Sequence, residues 1–273
     1  MNKRKRRLVG FTLVEVSLFL AVTAVLFVGI ITATQGSIWQ QRFYDSVQSY
    51  AEFWRGIYSQ VSNPQTVGQG NTETAIYGKL VVFGESVDLQ GNSVNATTDA
   101  NYGQQIFIYD VVGDATGTGT GSVVEMLSGL NANVIMKVLD SRGNTEWIPA
   151  GEVTDYVPRW GAEIETTTQA EPFTGSILVV RHPQSGTINT LVSKEVIHVN
   201  GALQSYNGST GVMERLLKSK LDSFEPSEID FCLNPYGYGV ATDNRRDIRL
   251  AKNARNSSGV QIIDLDSDEN RCR

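Results

Sequence analysis

The feature that most constrains this chain is an apolar run near its N-terminus, from Leu13 to Ile31, which follows a strongly basic leader. The run has 19 residues, and Glu15 is its only charged residue. At about 1.5 Å per residue, a helix over this run is roughly 29 Å long, close to the thickness of a hydrocarbon core. Residues 1–10 carry five cationic and no acidic side chains. The positive-inside rule therefore predicts a single-pass protein with a cytoplasmic N-terminus and an extracytoplasmic remainder.

Two simpler explanations leave part of this run unexplained. A cleavable secretory signal has an apolar region of about 7 to 15 residues with a small-residue cleavage site after it. This run is longer, and the residues that follow it, 32–35, make a poor site. An uncleaved signal anchor explains the charge and the length but not Glu15, because a carboxylate in an apolar span costs on the order of a few kcal/mol and needs a partner.

The leader and the run are joined by one short motif, Gly10-Phe11-Thr12-Leu13-Val14-Glu15. With its flanks, this motif resembles the processing site of type IV pilins and pseudopilins. The resemblance implies that a prepilin peptidase cuts after Gly10 and that Phe11 becomes the N-methylated mature N-terminus. It also implies that Glu15 pairs with the cationic N-terminus of a neighbouring subunit during assembly. The resemblance is confined to about the first 60 residues.

Beyond the run, large apolar residues continue at helical spacing. They recur at intervals of three and four and fall on one face of a helix: Trp39, Phe43, Val47, Tyr50, Trp54, Ile57 and Val61. We therefore predict a transmembrane part over residues 11–34 and an amphipathic extension over 35–62, which ends at Asn63-Pro64. The aromatic stripe should pack on a sheet. One departure from many major pilins is the lack of a proline at the position of Thr32.

Residues 63–273 are predicted to form an extracytoplasmic, β-rich domain. Together with the N-terminal helix, this predicts the fold class α+β. The pilin resemblance implies the same architecture, in which a long N-terminal helix packs on an antiparallel sheet. Two lobes with a boundary near 150–175 remain open. A glycine-rich stretch over 113–121 lacks the Gly-Lys-Ser/Thr of a phosphate loop and is predicted to be a surface loop. Short apolar runs predict a helix at 212–221 and strands at 75–83, 104–112, 134–139, 176–181, 188–192, 228–233, 247–251 and 260–265.

Cys232 and Cys272 are the only cysteines. On the oxidising side of a membrane, such a pair is more often a disulfide than a metal site, although two free thiols remain an alternative. Pilin-like proteins often close a C-terminal loop in this way, and the pair resembles that device. His182 and His198 lack the neighbours of a nucleophile elbow or a zinc helix. The sequence contains no recognisable set of catalytic residues, so we predict that the protein is not an enzyme.

The formal net charge is −6, and the leader carries +5, so the cleaved chain would carry −11. This acidity argues against nonspecific binding to nucleic acid. A local basic cluster could still attract DNA, but its alternation with acids also fits the solvated side of a strand: Arg245, Arg246, Arg249, Lys252 and Arg255. Asp264, Asp266 and Asp268 are spaced like the opening of a calcium loop, but Glu269 stands where that loop needs glycine. Calcium at these aspartates is therefore a hypothesis that competes with a solvated acidic tail; otherwise no cofactor is expected.

The sequence thus predicts a non-enzymatic, pilin-like subunit in a bacterial cell membrane that reaches the cell surface when a filament assembles. The resemblance implies four classes of partner: other pilin-like subunits, the prepilin peptidase, an inner-membrane assembly platform and membrane lipid. Because a mature chain of 263 residues is large beside typical major pilins, a minor subunit is favoured. The alternatives are a pseudopilin of a type II secretion or DNA-uptake system, a membrane-anchored adhesin or binding domain that never polymerises, and an anchored enzyme.

Overall fold

A computed structural model of the chain begins with one uninterrupted helix, α1 (Leu13–Ser62). The helix has 50 residues and is about 75 Å long. No proline occurs before Pro64, so nothing within this stretch removes a backbone donor. The helix stops at Asn63, directly before that proline. The prediction of one long helix, apolar in its first half, is confirmed.

The structure describes residues 12–63, 66–67, 74–84, 106–114, 122–129, 133–134, 136–139, 145–148, 154–158, 162–166, 169–199, 216–235, 245–263 and 272. Five of the predicted site residues lie outside these ranges. They are Gly10 and Phe11 of the processing motif and the acidic triplet Asp264, Asp266 and Asp268.

The described residues after α1 form mainly short antiparallel strands. The strands are β1 (Thr66–Val67), β2 (Thr74–Phe83), β3 (Ile106–Asp114), β4 (Asn133–Val134), β5 (Met136–Leu139), β6 (Thr145–Ile148), β7 (Thr154–Tyr156), β8 (Glu163–Thr166), β9 (Gln169–Pro172), β10 (Gly175–Arg181), β11 (Ile188–Ser193), β12 (Glu225–Pro226), β13 (Ile229–Asn234), β14 (Arg246–Leu250), β15 (Asn253–Ala254) and β16 (Val260–Ile263). Each run predicted as a strand overlaps at least one of these. The predicted α+β layout is therefore correct.

The strands form a larger sheet, a smaller sheet and one separate pair. The larger sheet has the order β12-β11-β10-β2-β3-β4, with β1, β7 and β15 as side additions, and the smaller has the order β16-β14-β13-β8-β9. Strands β5 and β6 pair only with each other. Strands β10 and β11 form a hairpin, closed by a hydrogen bond of 2.8 Å from the backbone amide of His182 to the carbonyl of Thr187.

The second half of α1 packs between the two sheets. Its predicted stripe is buried from Phe43, which is 2% exposed, through Val61, while Trp39 is partly buried. Phe83 of the larger sheet and Phe231 of the smaller sheet stack with Trp54, at centroid distances of 6.4 and 5.6 Å. The two sheets and the helix thus share one hydrophobic core, so the stripe packs on sheets as predicted.

The opposite face of the larger sheet is also covered. Leu80 and Val82 of β2 belong to a second core, whereas the intervening Val81 faces α1. Two short helices, α2 (Val123–Gly129) and α3 (Leu216–Lys220), contribute to this second core. Because both faces are buried, the central strands contain unbroken apolar stretches, such as residues 80–83 and 177–180, which made them visible in the sequence. Helix α3 ends one residue before the predicted end, since a 3₁₀ turn takes over at Leu221–Ser223; residues 212–215 of the predicted helix lie outside the described residues.

The far end of α1 is held by polar contacts. The hydroxyl of Tyr58 lies 2.5 Å from that of Thr190 on β11, and Arg181 donates a hydrogen bond of 2.5 Å to the carbonyl of Ser62. A cation at this position complements the negative end of the helix dipole. Gly259 lies against the same turn, where a Cβ atom would come within 2.9 Å of the Tyr58 ring. The helix is therefore fixed to the domain through its last turn.

Candidate functional site

The most unusual surface of the described chain is the first half of α1. Large apolar side chains between residues 13 and 38 are exposed on every side of the helix; Leu13 is 85% exposed and Val25 is 72% exposed. Monomeric soluble proteins rarely expose contiguous apolar patches beyond a few hundred Å². Among the described residues, this is the helix long and apolar enough to cross a membrane. The segment from Leu13 to Ile38 is called the exposed half of α1 below.

Four hydroxyl groups of the exposed half are hydrogen-bonded within the helix. The hydroxyls of Ser17, Thr23, Thr34 and Ser37 each donate to a backbone carbonyl three or four residues earlier, at 2.7 to 2.9 Å. A hydroxyl placed in hydrocarbon without such a bond would lose on the order of a few kcal/mol. These hydroxyls therefore do not oppose burial of the segment in lipid.

Glu15 lies at the start of the exposed half, where it closes a capping box. Its Oε2 accepts hydrogen bonds of 2.9 Å from the backbone amide and from the hydroxyl of Thr12. The Thr12 hydroxyl in turn accepts from the backbone amide of Glu15 at 3.3 Å. Two amides that a helix N-terminus leaves without intrahelical partners are satisfied in this way. The carboxylate thus has a partner in its own chain.

This role of Thr12 was missing from the sequence interpretation, although the sequence contained its signal. A threonine followed three residues later by glutamate, directly before an apolar run, is the pattern of a capping box. The resemblance to pilins implies a role for Glu15 only in contacts between subunits. The capping box is local, so it could have been predicted together with the helix.

The two cysteines are brought together as predicted. Cys232, in the middle of β13, is joined to Cys272 by a disulfide, with a Cα–Cα distance of 5.4 Å. Both residues are buried. The bond fixes residue 272 against the smaller sheet. This pairing is the arrangement that the resemblance to pilins implied.

The predicted basic cluster is largely engaged within the chain. Arg249 donates from Nε to Asp230 at 2.6 Å, and its Nη2 lies 3.7 Å from buried Asp247. Partial burial lowers the pKa of Arg249, but the bond to Asp230 and the neighbouring carboxylates raise it overall. Arg245 lies 3.5 Å from Glu165. These arginines neutralise acids on the outer face of the smaller sheet, which the sequence showed only as alternating charges.

Outside the basic cluster, polar side chains lie in the β10–β11 loop and in a surface groove. The Nδ1 of His182 accepts from the backbone amides of Gln184 and Ser185, each at 3.3 Å, so this ring shapes the β10–β11 loop. A shallow groove lies beside β11 and β12, and Ser193 and Ser223 are hydrogen-bonded in its wall at 3.0 Å. Within the described ranges, no three His, Cys, Asp or Glu side chains are grouped as metal ligands.

Comparisons with known proteins give no relative for this chain, since no family model, no curated protein and no solved structure matches it.

Proposed function

We propose that this protein is a structural subunit of a type IV pilus-like filament, with a pilin-like fold. In this proposal it is made as a membrane-inserted precursor and cleaved after Gly10, and its Phe11 is methylated. The membrane segment then leaves lipid and packs against the helices of neighbouring subunits. The partners are those that the resemblance implies: other pilin-like subunits, the prepilin peptidase, the assembly platform and membrane lipid.

The abrupt change of burial along one continuous helix carries this proposal. Large side chains from Leu13 to Ile38 are about half or more exposed, whereas Phe43 and the stripe after it are almost completely buried. A helix that served only the domain would have no reason to extend about 40 Å beyond it as an apolar rod. Lipid and then other copies of the same segment can cover this surface. An α-helix satisfies its own backbone groups in both environments.

Glu15 supports the assembly step by its chemistry. Cleavage after Gly10 would create a cationic amine at Phe11, one helical turn before the carboxylate. Both hydrogen bonds described for that carboxylate use Oε2. A carboxylate has about four acceptor sites, so it can bind a neighbour's amine while it keeps the Thr12 cap. The capping box and the contact between subunits are therefore compatible.

The size of the chain favours a minor subunit over the bulk subunit of a filament. A pseudopilin of a type II secretion or DNA-uptake system has the same kind of N-terminus and is the nearest alternative. The genes encoded beside this one would separate the two.

The second candidate function is a membrane-anchored binding domain that never polymerises, and the capping box favours it. If Thr12 is the sole partner of Glu15, then the carboxylate stabilises the start of a simple anchor. The two candidates differ in where the protein is found. An anchored domain stays in the membrane fraction, whereas a filament subunit also occurs in filaments sheared from the cells.

The test is an immunoblot of sheared filaments and membranes from cells that express the full chain with its peptidase. We expect the cleaved protein in both fractions. Complete retention in membranes, in cells that assemble filaments from their other subunits, would contradict the filament proposal and leave the anchored domain.

A further inference from the structure

Two pairs of aromatic and arginine side chains lie where α1 leaves its exposed half and enters the domain. The guanidinium carbon of Arg42 is 5.1 Å from the centre of the Trp39 ring. That of Arg246 is 4.9 Å from the centre of the Tyr44 ring, and its Nη2 donates a hydrogen bond of 2.7 Å to the Tyr44 hydroxyl. These four residues are called the collar.

The two pairs of the collar lie on opposite sides of the buried face of the helix. At about 100° per residue, Arg42 lies to one side of buried Phe43 and Tyr44 lies to the other. Arg246 is the first residue of β14, so the second pair joins the helix to the rim of the smaller sheet that lies nearest the exposed half. Tyr44 is 40% exposed even though it is in contact with this rim.

The position of the collar along α1 lies just outside the surface of a bilayer that is spanned by the apolar run. Trp39 is eight residues, about 12 Å, beyond the end of the apolar run at Ile31. The headgroup region extends about 5 to 8 Å beyond each face of a hydrocarbon core. Small or polar residues occupy most of the interval 32–38. The backbone of Trp39 therefore lies about 4 to 7 Å outside the headgroup region, and Arg42 and Tyr44 follow about 4 and 8 Å farther out. Side chains of a helix tilt toward its N-terminus, so those of the collar extend back toward the headgroups.

We propose that the collar is a lipid-contact surface that seats the domain on the phosphate headgroups of the membrane before assembly. The inference rests on the membrane-spanning part of the proposed function but not on polymerisation. Tryptophan and tyrosine are enriched at membrane interfaces because one end of each ring is apolar and the other polar. Arginine stacks on aromatic rings and binds phosphate in a planar fork. The collar combines both properties.

Acidic residues near the collar determine which charge of lipid headgroup it can bind. Asp45 is exposed beside Tyr44, and Glu163 is at the rim, since it pairs with Asn234 next to the Leu233–Arg246 pair. Burial, followed by the charge of Glu165, raises the pKa of Glu163. The rim is therefore mixed in charge, so zwitterionic headgroups fit it and no strong preference for anionic lipid is expected.

The experiment uses the full chain reconstituted in phosphatidylcholine vesicles with brominated acyl chains, which quench tryptophan at a depth set by the bromine position. The chain has four tryptophans, so the emission difference between the parent and Trp39→Phe isolates Trp39. We expect that emission to be quenched at least twofold more by shallow than by deep bromine. Replacing Arg42 and Arg246 by glutamine should reduce the shallow quenching at least twofold, whereas the matched control Arg255→Gln should not change it.

The possible results distinguish failure of the collar inference from failure of the proposed membrane span. Absence of quenching of Trp39 in a parent protein that resists alkaline extraction would overturn the inference while leaving the membrane span intact. Release by alkali would overturn both. If the double glutamine variant keeps its quenching but enters filaments poorly, the collar contacts a neighbouring subunit and the lipid assignment is wrong. The parent measurement remains decisive even if a variant fails to fold.

Discussion

Substitutions at Glu15 can separate its two roles, because one of them depends on charge and the other does not. Glutamine at this position keeps a side-chain oxygen that can accept from the Thr12 amide, and Gln serves as well as Glu in a capping box. It removes the negative charge that a neighbour's amine requires. Thr12→Ala is the converse variant, since it removes the threonine side of the box and keeps the carboxylate.

The expected magnitudes differ enough to be measured. Loss of a threonine cap costs about 0.5 to 2 kcal/mol and acts on the first turn alone. Removing one partner of a buried ion pair costs about 3 to 5 kcal/mol, because the other charge is left in an apolar setting. A loss of about 3 to 5 kcal/mol corresponds to roughly two to three and a half orders of magnitude in the association constant. Glu15→Gln should therefore abolish most incorporation into filaments, and Thr12→Ala should reduce it far less.

The assay compares the amount of cleaved protein in sheared filaments with that in membranes by immunoblot. Alkaline extraction checks insertion of each variant, and mass spectrometry checks cleavage after Gly10. Glu15→Ala, which removes charge and cap together, should behave like Glu15→Gln or slightly worse. If Glu15→Gln enters filaments as well as the parent does, the charge of Glu15 is not needed for assembly. In that case the carboxylate serves the cap alone.

Three other outcomes are expected. Mass spectrometry of the envelope protein should show a chain that starts at methylated Phe11, and Gly10→Ala should be cut far better than a bulky substitution; an intact Met1 in cells with the peptidase would contradict this. Reduction of the Cys232–Cys272 bond, which closes a loop of about 40 residues, should lower the free energy of unfolding by about 2 to 4 kcal/mol; labelling of both thiols before reduction would exclude the bond. Burial raises the pKa of Tyr58 to about 12. Its stabilising contribution is therefore full below pH 10 and is lost as the pH rises through 12, by about 2 kcal/mol at pH 12 and about 3 kcal/mol in all. Denaturant titrations of the full chain in detergent at pH 9 and 12 should show a smaller loss for Tyr58→Phe than for the parent, and an equal loss would refute the assignment.

The sequence determined the features that depend on neighbouring residues. An apolar run of 19 residues, a stripe at intervals of three and four and a proline at position 64 were enough to predict the helix and its end. Continuous apolar runs located β2 and β10, because both faces of the larger sheet are covered. The capping box of Thr12 and Glu15 was equally local and could have been predicted. Short strands such as β12 were missed, since two residues carry no period.

The contacts between distant segments of the chain follow from the tertiary fold. Strand β10 pairs with β2 across a long stretch of chain, and Tyr58 meets Thr190 across 132 positions. No local pattern encodes such a pairing, because it depends on which surfaces remain to be buried once the helix and sheets have formed. The same holds for Arg249, whose carboxylate partners convert a basic cluster in the sequence into internal ion pairs. The exposed half of α1 shows the same division. Its apolar character is visible in the sequence, but only the fold shows that no part of the described domain covers it.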